Sequence, residues 1–355
     1  MNILIDIGHP AHVHLFKHFA RAMKKKGHKV LFTCREKEFE TYLLKKFGFQ
    51  FKSFGKKYTS LIGKLWGLIE FDVKEFLAGL SFKPDILLSH GSVYAAHAAF
   101  FLRKPHITLE DTGNREQIKL YAPFSSVIMA PASLEAYLGE KQIRYNGYHE
   151  LAYLHPNHFV PSDEIYEYLH IEEKEKYVII RFVSWKASHD LGQTGIHEKT
   201  KEILIQDLVQ KGYKIFISSE NELSEKYFHY KINIPPELMH SALYYASLFI
   251  GEGATMANES AILGTPAVYV NSRKACIGDL ENFGILFHLN KDLELLKLID
   301  EIHKIPDIKI EWQKRRQKML ADKIDVTAFL VWFIENYPQS REMVEDTEEF
   351  WGRFR

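Results

Sequence analysis

Residues 248–271 constrain the fold of this chain more than any other stretch. Leu248-Phe249-Ile250 is a short apolar run that ends in Gly251-Glu252-Gly253. A helical stretch follows from about Thr255, and Gly264-Thr265-Pro266 stops it before a second β-rich run, Ala267 to Val270. Strand, glycine turn, helix, turn and strand make one βαβ unit, whose strands lie parallel. The glycines let the backbone turn sharply and approach a ligand closely, and the helix behind them offers unpaired N–H groups and the positive end of its dipole. An anion is the natural guest. Glu259 lies about one turn inside that helix, where a carboxylate can accept two hydrogen bonds from a ribose diol. The pattern also fits an ordinary βαβ unit in which Gly264-Thr265-Pro266 is only a helix stop.

The same rhythm runs along the rest of the chain. Asn2 to Ile7 reads as a first strand, and Gly8-His9-Pro10 turns it into a helix with Leu15, Phe16, Phe19, Ala20 and Met23 at helical spacing, closed by Gly27. Lys29 to Cys34 and Phe49 to Phe54 read as further strands, and Pro84 to Gly91, His106 to Leu109 and Ser126 to Met129 continue the series. An Ala-rich helix covers Val93 to Phe101. Between Tyr145-Asn146-Gly147-Tyr148 and Pro161 the periodicity lapses. A second series then begins with a strand over Lys176 to Phe182, a helix over about 197–211, a strand over Tyr213 to Ser218 and a helix opened by Pro235-Pro236. Beyond Asn290 the chain reads as helical, with Phe329, Val331, Trp332 and Ile334 as a buried stripe. The expected fold class is α/β: two Rossmann-like, doubly wound parallel-sheet domains over 1–157 and 158–324, with helices of about 325–355 packing back on the first.

Composition narrows the function. Lys plus Arg equal Asp plus Glu at 46 each in 355 residues, so no overall field attracts nucleic acid, and none is expected as a partner. Cys34 and Cys276 are the only cysteines, which excludes a disulfide framework and a cysteine metal motif and suits a cytoplasmic setting. The N-terminus lacks the basic segment of a signal peptide, and no run of about 18 uncharged apolar residues could span a membrane. Residues 56–82 break the rhythm: Lys56, Lys57 and Lys64 flank Leu61, Ile62, Leu65, Trp66, Leu68 and Ile69. Such a basic helix with Trp either packs into a core or docks as a peripheral element on anionic lipid, at the inner face of the plasma membrane.

Ligands of open parallel sheets sit at the carboxyl ends of strands, and His9, His90, Glu110 and Asp111 all follow expected strands. His9 suits a base near neutral pH or, equally, a cap for the helix behind it. Glu110 and Asp111 close one apolar strand, so one suits a turn cap and the other the site; the sequence leaves open which. His12, His90 and Asn114 are candidate acceptor contacts. Arg181, with Lys186 nearby, suits bidentate phosphate contact or a surface ion pair. His9, His12, His14 and His18 form a local excess of imidazoles with no carboxylate joining them nearby, so the expectation there is a solvated face and no metal. No Asp-x-Asp pair is present to hold a divalent ion against a diphosphate, and no cofactor is expected.

Taken together, Ala242 to Gly253, Glu259 and Gly264-Thr265-Pro266 resemble the nucleotide-sugar signature of the glycosyltransferase-B (GT-B) superfamily. In that superfamily the helix after the glycine turn faces the diphosphate and its glutamate holds the ribose. The resemblance places those roles on Gly253, Ala254, Thr255 and Glu259. Asp6 to His14, Lys83-Pro84-Asp85, Arg144 to Gly147, Glu150 to Pro156, Arg181 and Trp185 further resemble a bacterial and archaeal domain-of-unknown-function family within the superfamily. Its better-known relatives are the N-acetylglucosaminyltransferase of peptidoglycan lipid intermediates and the UDP-N-acetylglucosamine 2-epimerases. The resemblance to the transferase implies base contacts at Pro236, Leu238, Met239 and His240. The chain departs from it where a glycine-rich loop should follow the first strand of the second domain: Phe182-Val183-Ser184-Trp185 stands there, with Arg181 and Ser184 as the substitute. It also lacks the epimerases' Gly-Thr-Arg-Pro-Glu, although Leu109-Glu110-Asp111 is similar to their acidic strand end.

The resemblance implies two domains facing a cleft and metal-independent transfer of a sugar from a nucleotide donor, a UDP sugar, to a glycan or lipid-linked acceptor in surface polysaccharide synthesis. The base would be His9 or Asp111, with Glu110 beside it. The alternatives are a nucleotide-sugar epimerase or hydrolase, and a non-catalytic nucleotide-sugar-binding protein on the same scaffold.

Overall fold

The computed structural model describes residues 1–355 apart from 59, 184–194, 221, 273–276 and 278, and apart from the side chains of 61, 62, 64 and 65. Ser184, Trp185, Lys186 and Cys276, and the side chains of Leu61, Ile62, Lys64 and Leu65, lie outside the described residues. The chain folds into two compact units, one of Met1–His158 with Lys323–Arg355 and one of Phe159–Asp322. Both are α/β units built on parallel sheets.

In the first unit the chain runs β1 (Asn2–Ile7), α1 (Pro10–Lys25), β2 (Lys29–Glu36), α2 (Glu40–Lys46), β3 (Phe51–Lys56) and α3 (Leu61–Phe82). It continues through β4 (Ile86–His90), α4 (Val93–Leu102), β5 (His106–Leu109), α5 (Arg115–Tyr121), β6 (Val127–Pro131), β7 (Gln142–Tyr145) and α6 (Leu151–Leu154). The second unit holds α7 (Ile165–Leu169), β8 (Tyr177–Phe182), α8 (Glu198–Gln210), β9 (Lys214–Ser219), α9 (Met239–Tyr245) and β10 (Leu248–Gly251). It ends with α10 (Ala254–Ile262), β11 (Ala267–Val270), β12 (Leu286–Leu289), α11 (Leu295–His303) and α12 (Ile308–Asp322). Then α13 (Val326–Glu335), α14 (Ser340–Met343) and α15 (Glu348–Gly352) return to the first unit.

The first sheet has the order β3-β2-β1-β4-β5-β6-β7 and the second β12-β11-β10-β8-β9. All the strand pairs are parallel. Strand order reverses beside the first strand of each sheet, between β1 and β4 and between β8 and β10, and a crevice outside the carboxyl ends opens at such a reversal. Ile3, Leu4 and Ile5 of β1 and Val178, Ile179 and Ile180 of β8 are fully buried, as expected of strands covered on both faces. The sequence reading omitted β7 and β12. Both are four-residue edge strands with half-exposed positions, so neither has the continuous apolar run that marks an inner strand.

A buried polar knot ties β1, β2, α3 and α4 together. Arg35 makes two hydrogen bonds to Asp6 at 2.7 and 2.8 Å, donates to the Ile7 carbonyl at 3.0 Å and lies over the Tyr94 ring. The Thr33 hydroxyl bridges Asp6 at 3.1 Å and Glu75 at 2.9 Å, and Ser92 donates to Asp6 while capping α4. Burial, then Asp6, pushes the Glu75 carboxyl well above the usual range, so it is neutral and the knot carries one ion pair.

The expected solvated face of α1 is corrected by the structure. His14 is only 6% exposed and His12 and His18 are half-buried, because α6 and the returning α13 pack against α1 and the His18 ring stacks on His158. Within the stretch 56–82, Leu61–Phe82 forms α3, which buries Phe71, Glu75 and Ala78 and leaves Trp66, Ile69, Val73, Leu77 and Leu80 exposed. Among the described residues no helix is long and apolar enough to cross a membrane.

Candidate functional site

Two places at the carboxyl ends of the sheets gather the residues singled out in the sequence. In the second unit, β8 and β10 lie side by side with Arg181 opposite Gly251. A Cβ on Gly251 would stand 2.6 Å from the Phe249 ring and 3.0 Å from the Arg181 Cβ, so the strands approach this closely only with glycine there. Gly253 is the N-cap of α10 and supplies no side chain to its first N–H groups. Gly253 and Ala254 are half-buried and Thr255 is exposed, which leaves the mouth of the helix accessible to an anion.

Glu259, 5% exposed, is bonded to the Nε2 of His240 at 3.0 Å. His240 stands on α9 just after the short turn Pro236–Leu238, so the ribose and base candidates meet at one wall of α10. Arg181 is held by the Ser218 hydroxyl at 2.7 Å and Glu220 at 3.0 Å, so any phosphate it receives competes with this pair.

Glu252 has a role that the sequence reading missed. It is 1% exposed and accepts the backbone N–H groups of Val183 and Ile196, with Lys201 3.7 Å away, while Asn271 donates to its carbonyl. Burial raises its carboxyl, and Lys201 and the two N–H groups offset part of that rise. Glu252 thus fastens β10 to the end of β8 and the start of α8. Its position between the two glycines was the available signal.

In the first unit, the ends of β1, β4, β5 and β7 bring together His9, His12, His90, Asp111 and His149. Asp111 lies between two imidazoles, with His90 Nε2 3.0 Å from one oxygen and His149 Nδ1 2.9 Å from the other. Burial alone would raise the Asp111 carboxyl, but His149 and His90 hold it well below the usual range. Burial lowers His90, yet the Asp111 charge and hydrogen bond outweigh it and raise that imidazole. The arrangement is a carboxylate fixed by imidazoles, the geometry that orients proton carriers in hydrolases and transferases. The His12 ring lies 4.5 Å from that of His90, and its Nδ1 accepts the Gly8 N–H. Burial, followed by His90 and His9, keeps His12 neutral.

The remaining expected residues take local positions. His9 caps α1, its Nδ1 accepting the Ala11 N–H at 3.2 Å; a neutral ring bonded this way carries its proton on Nε2 and faces outward as a donor. Glu110 holds its own turn: one oxygen accepts from the Thr112 N–H and hydroxyl and the Gly113 N–H, and the other from Tyr121. Asn114 caps α5. His149 was missed because it lies in the stretch where periodicity lapses, and only pairing of β7 with β6 carries it toward β5.

A family model described as "Protein of unknown function (DUF354)" matches residues 1–338. The chain belongs to the DUF354 family. An uncharacterized protein of Methanocaldococcus jannaschii is 28% identical to this DUF354 chain over 281 residues, covering 76% of the chain and 81% of the relative. Among solved structures, UDP-GlcNAc 2-epimerase from Neisseria meningitidis bound to UDP-GlcNAc superposes with a TM-score of 0.66 at 13% identity, covering 94% of this chain and all of that one. The glycosyltransferase SsfS6 of Streptomyces sp. SF2575 superposes with a TM-score of 0.59 at 15% identity, covering 95% and 100%. At these identities the likeness is one of fold. The DUF354 chain therefore has the two-sheet architecture found in both GT-B glycosyltransferases and UDP-GlcNAc 2-epimerases.

Proposed function

We propose that this DUF354 protein is a glycosyltransferase that moves a sugar from a nucleoside diphosphate sugar, a UDP sugar, to a hydroxyl of a glycan or lipid-linked acceptor in surface polysaccharide synthesis. The observation that carries the reading is the pairing of Glu259 with His240 behind the N-terminus of α10, where Gly253 as N-cap supplies no side chain. A ribose diol fits the glutamate, and a diphosphate fits the Gly253, Ala254 and Thr255 backbone. No metal need hold the diphosphate, since the helix end supplies positive potential. The imidazole and carboxylate cluster around Asp111 takes up the proton of the attacking hydroxyl, and the sugar inverts as the diphosphate leaves.

A lipid-linked acceptor is supported by the exposed stripe Trp66, Ile69, Val73, Leu77 and Leu80 on α3 with Phe100 and Phe101 on α4. Lys83, Arg103 and Lys104 are exposed at the ends of these helices, while Glu70 is paired with Lys74, Asp72 with His97, and Glu75 is buried. This is a surface for an anionic bilayer. Cosedimentation with vesicles containing anionic lipid should fall at least about tenfold in a Trp66→Ser, Ile69→Ser, Phe101→Ser variant, since each buried apolar side chain contributes about 1.5–3 kcal/mol. Equal sedimentation would remove the membrane part of the reading.

The second reading is epimerisation or hydrolysis of the same donor, supported by the likeness to the Neisseria epimerase. The third, a non-catalytic binding protein, predicts no turnover at all. Incubation with UDP, GDP, CDP and TDP sugars, with and without lipid extract, separates them. Acceptor-dependent release of nucleotide supports transfer, whereas release or sugar isomerisation without acceptor would sink it.

A further inference from the structure

From the same cluster we infer that His90, Asp111 and His149 form a binding site for one divalent transition-metal ion, with a fourth position left for an oxygen ligand. One nitrogen from each imidazole and one carboxylate oxygen all lie within 4.8 Å of one another. Donors around a tetrahedral zinc with bonds of about 2.0–2.1 Å stand about 3.3 Å apart. Here His90 Nε2 is 3.0 Å from one Asp111 oxygen and His149 Nδ1 is 2.9 Å from the other, so an ion entering between the two rings meets the carboxylate after a rotation of that group.

The second observation is His149 itself. It is only 5% exposed, and its Nδ1, buried and making no well-formed hydrogen bond among the described residues, lies 2.9 Å from an Asp111 carboxylate oxygen. A nitrogen so placed costs about 1–3 kcal/mol of desolvation unless something binds it. A cation between the ring and the carboxylate removes that cost. The Tyr145 ring stacked on His149, 6.1 Å between centroids, holds the imidazole plane. Two imidazoles and a carboxylate suit zinc, cobalt or iron(II) and not magnesium or calcium, which prefer all-oxygen sets.

Asp111 is the most exposed of the three, with side-chain exposure of 27% against 13% for His90 and 6% for His149, so solvent reaches the cluster through it. The His12 ring lies 4.5 Å from that of His90, with Nδ1 occupied by the Gly8 N–H and Nε2 carrying the proton. His12 is therefore a donor to an oxygen on the metal and not a fourth ligand. With the ion bound, His90, Asp111 and His149 hold the metal in place of a proton, and the oxygen in the fourth position becomes the proton acceptor of the cluster; the site stands whether or not the nucleotide reading is right.

Tag-free protein stripped with a chelator and titrated with Co²⁺ alone, then with Zn²⁺ in competition, tests this. One equivalent of Co²⁺ with visible bands of a four- or five-coordinate ion is expected, displaced by Zn²⁺. Asp111→Asn and His90→Gln should each weaken binding at least about 100-fold, while His97→Gln, which breaks the His97–Asp72 pair, should leave it unchanged. Circular dichroism selects the folded variant of the two. No saturable binding, or equal affinity in the folded Asp111 or His90 variant, overturns the site. UDP affinity measured on the stripped protein reports separately on the nucleotide reading.

Discussion

In the five-stranded sheet the candidate site comes from one contiguous segment, β10, Gly253 and α10, and its main donors are backbone N–H groups. In the seven-stranded sheet the candidate site comes from side chains on four separate strand ends, from His9 to His149. A backbone site follows from local sequence, because glycine and helix position alone set its geometry. A side-chain site depends on strand order and register. The first is therefore expected to tolerate changes in side chains other than Glu259 and the glycines, and the second to lose its arrangement when a member is removed.

Four measurements test this contrast. The largest effect is expected for Asp111→Asn, which should lower acceptor-dependent turnover about 10²–10⁴-fold, the usual worth of general acid–base catalysis, with UDP affinity within about twofold of wild type. A parallel loss of UDP affinity in calorimetry would dissolve the division between the two regions. Next is Arg35→Met, which leaves Asp6 buried without its partner below the histidine cluster. Breaking a buried pair from one side costs about 3–5 kcal/mol, read as a shift in the urea midpoint. A loss under about 1 kcal/mol would show that the knot does not support the β1 end.

Glu259→Ala should weaken UDP about 10–100-fold, the worth of one or two hydrogen bonds to a charged acceptor. Calorimetric binding that survives unchanged would remove the ribose contact and leave only the helix end. The smallest effect concerns His106, which burial between Ser89 and Ser125 pushes down to about 3. Its folded-state value lies below its unfolded value near 6.5, so the unfolded chain binds the extra proton and stability is lost as pH falls from about 6.5 toward 3. This one group contributes a slope of at most about 1.4 kcal/mol per pH unit. His106→Asn should flatten the melting temperature against pH in that window, and an unchanged slope would mean that other groups carry the acid sensitivity.

Much of the fold was legible from local pattern. β1, β4, β5 and β10 have apolar runs bounded by glycine or proline, β8 has one that follows a charged stretch, and α1 shows its buried stripe at helical spacing. The edge strands β7 and β12 were not, since one exposed side dilutes the apolar run. The histidines of α1 read as solvated because nothing nearby in sequence says that α13 returns to cover them. The choice between Glu110 and Asp111 was open for a similar reason: both sit at one strand end, and only the Tyr121 hydroxyl and the turn amides on one side, and His90 and His149 on the other, tell them apart.

The parallel α/β architecture and the glycine turn before α10 with Glu259 inside the helix are legible in local sequence, because strand, turn and helix follow from residues a few positions apart. Tertiary structure alone decided that His9 caps a helix, that Glu252 fastens three elements, and that Asp111 lies between His90 and His149. Those contacts join residues far apart in the chain, and strand order and register, set by burial over the whole sheet, bring them within bonding distance.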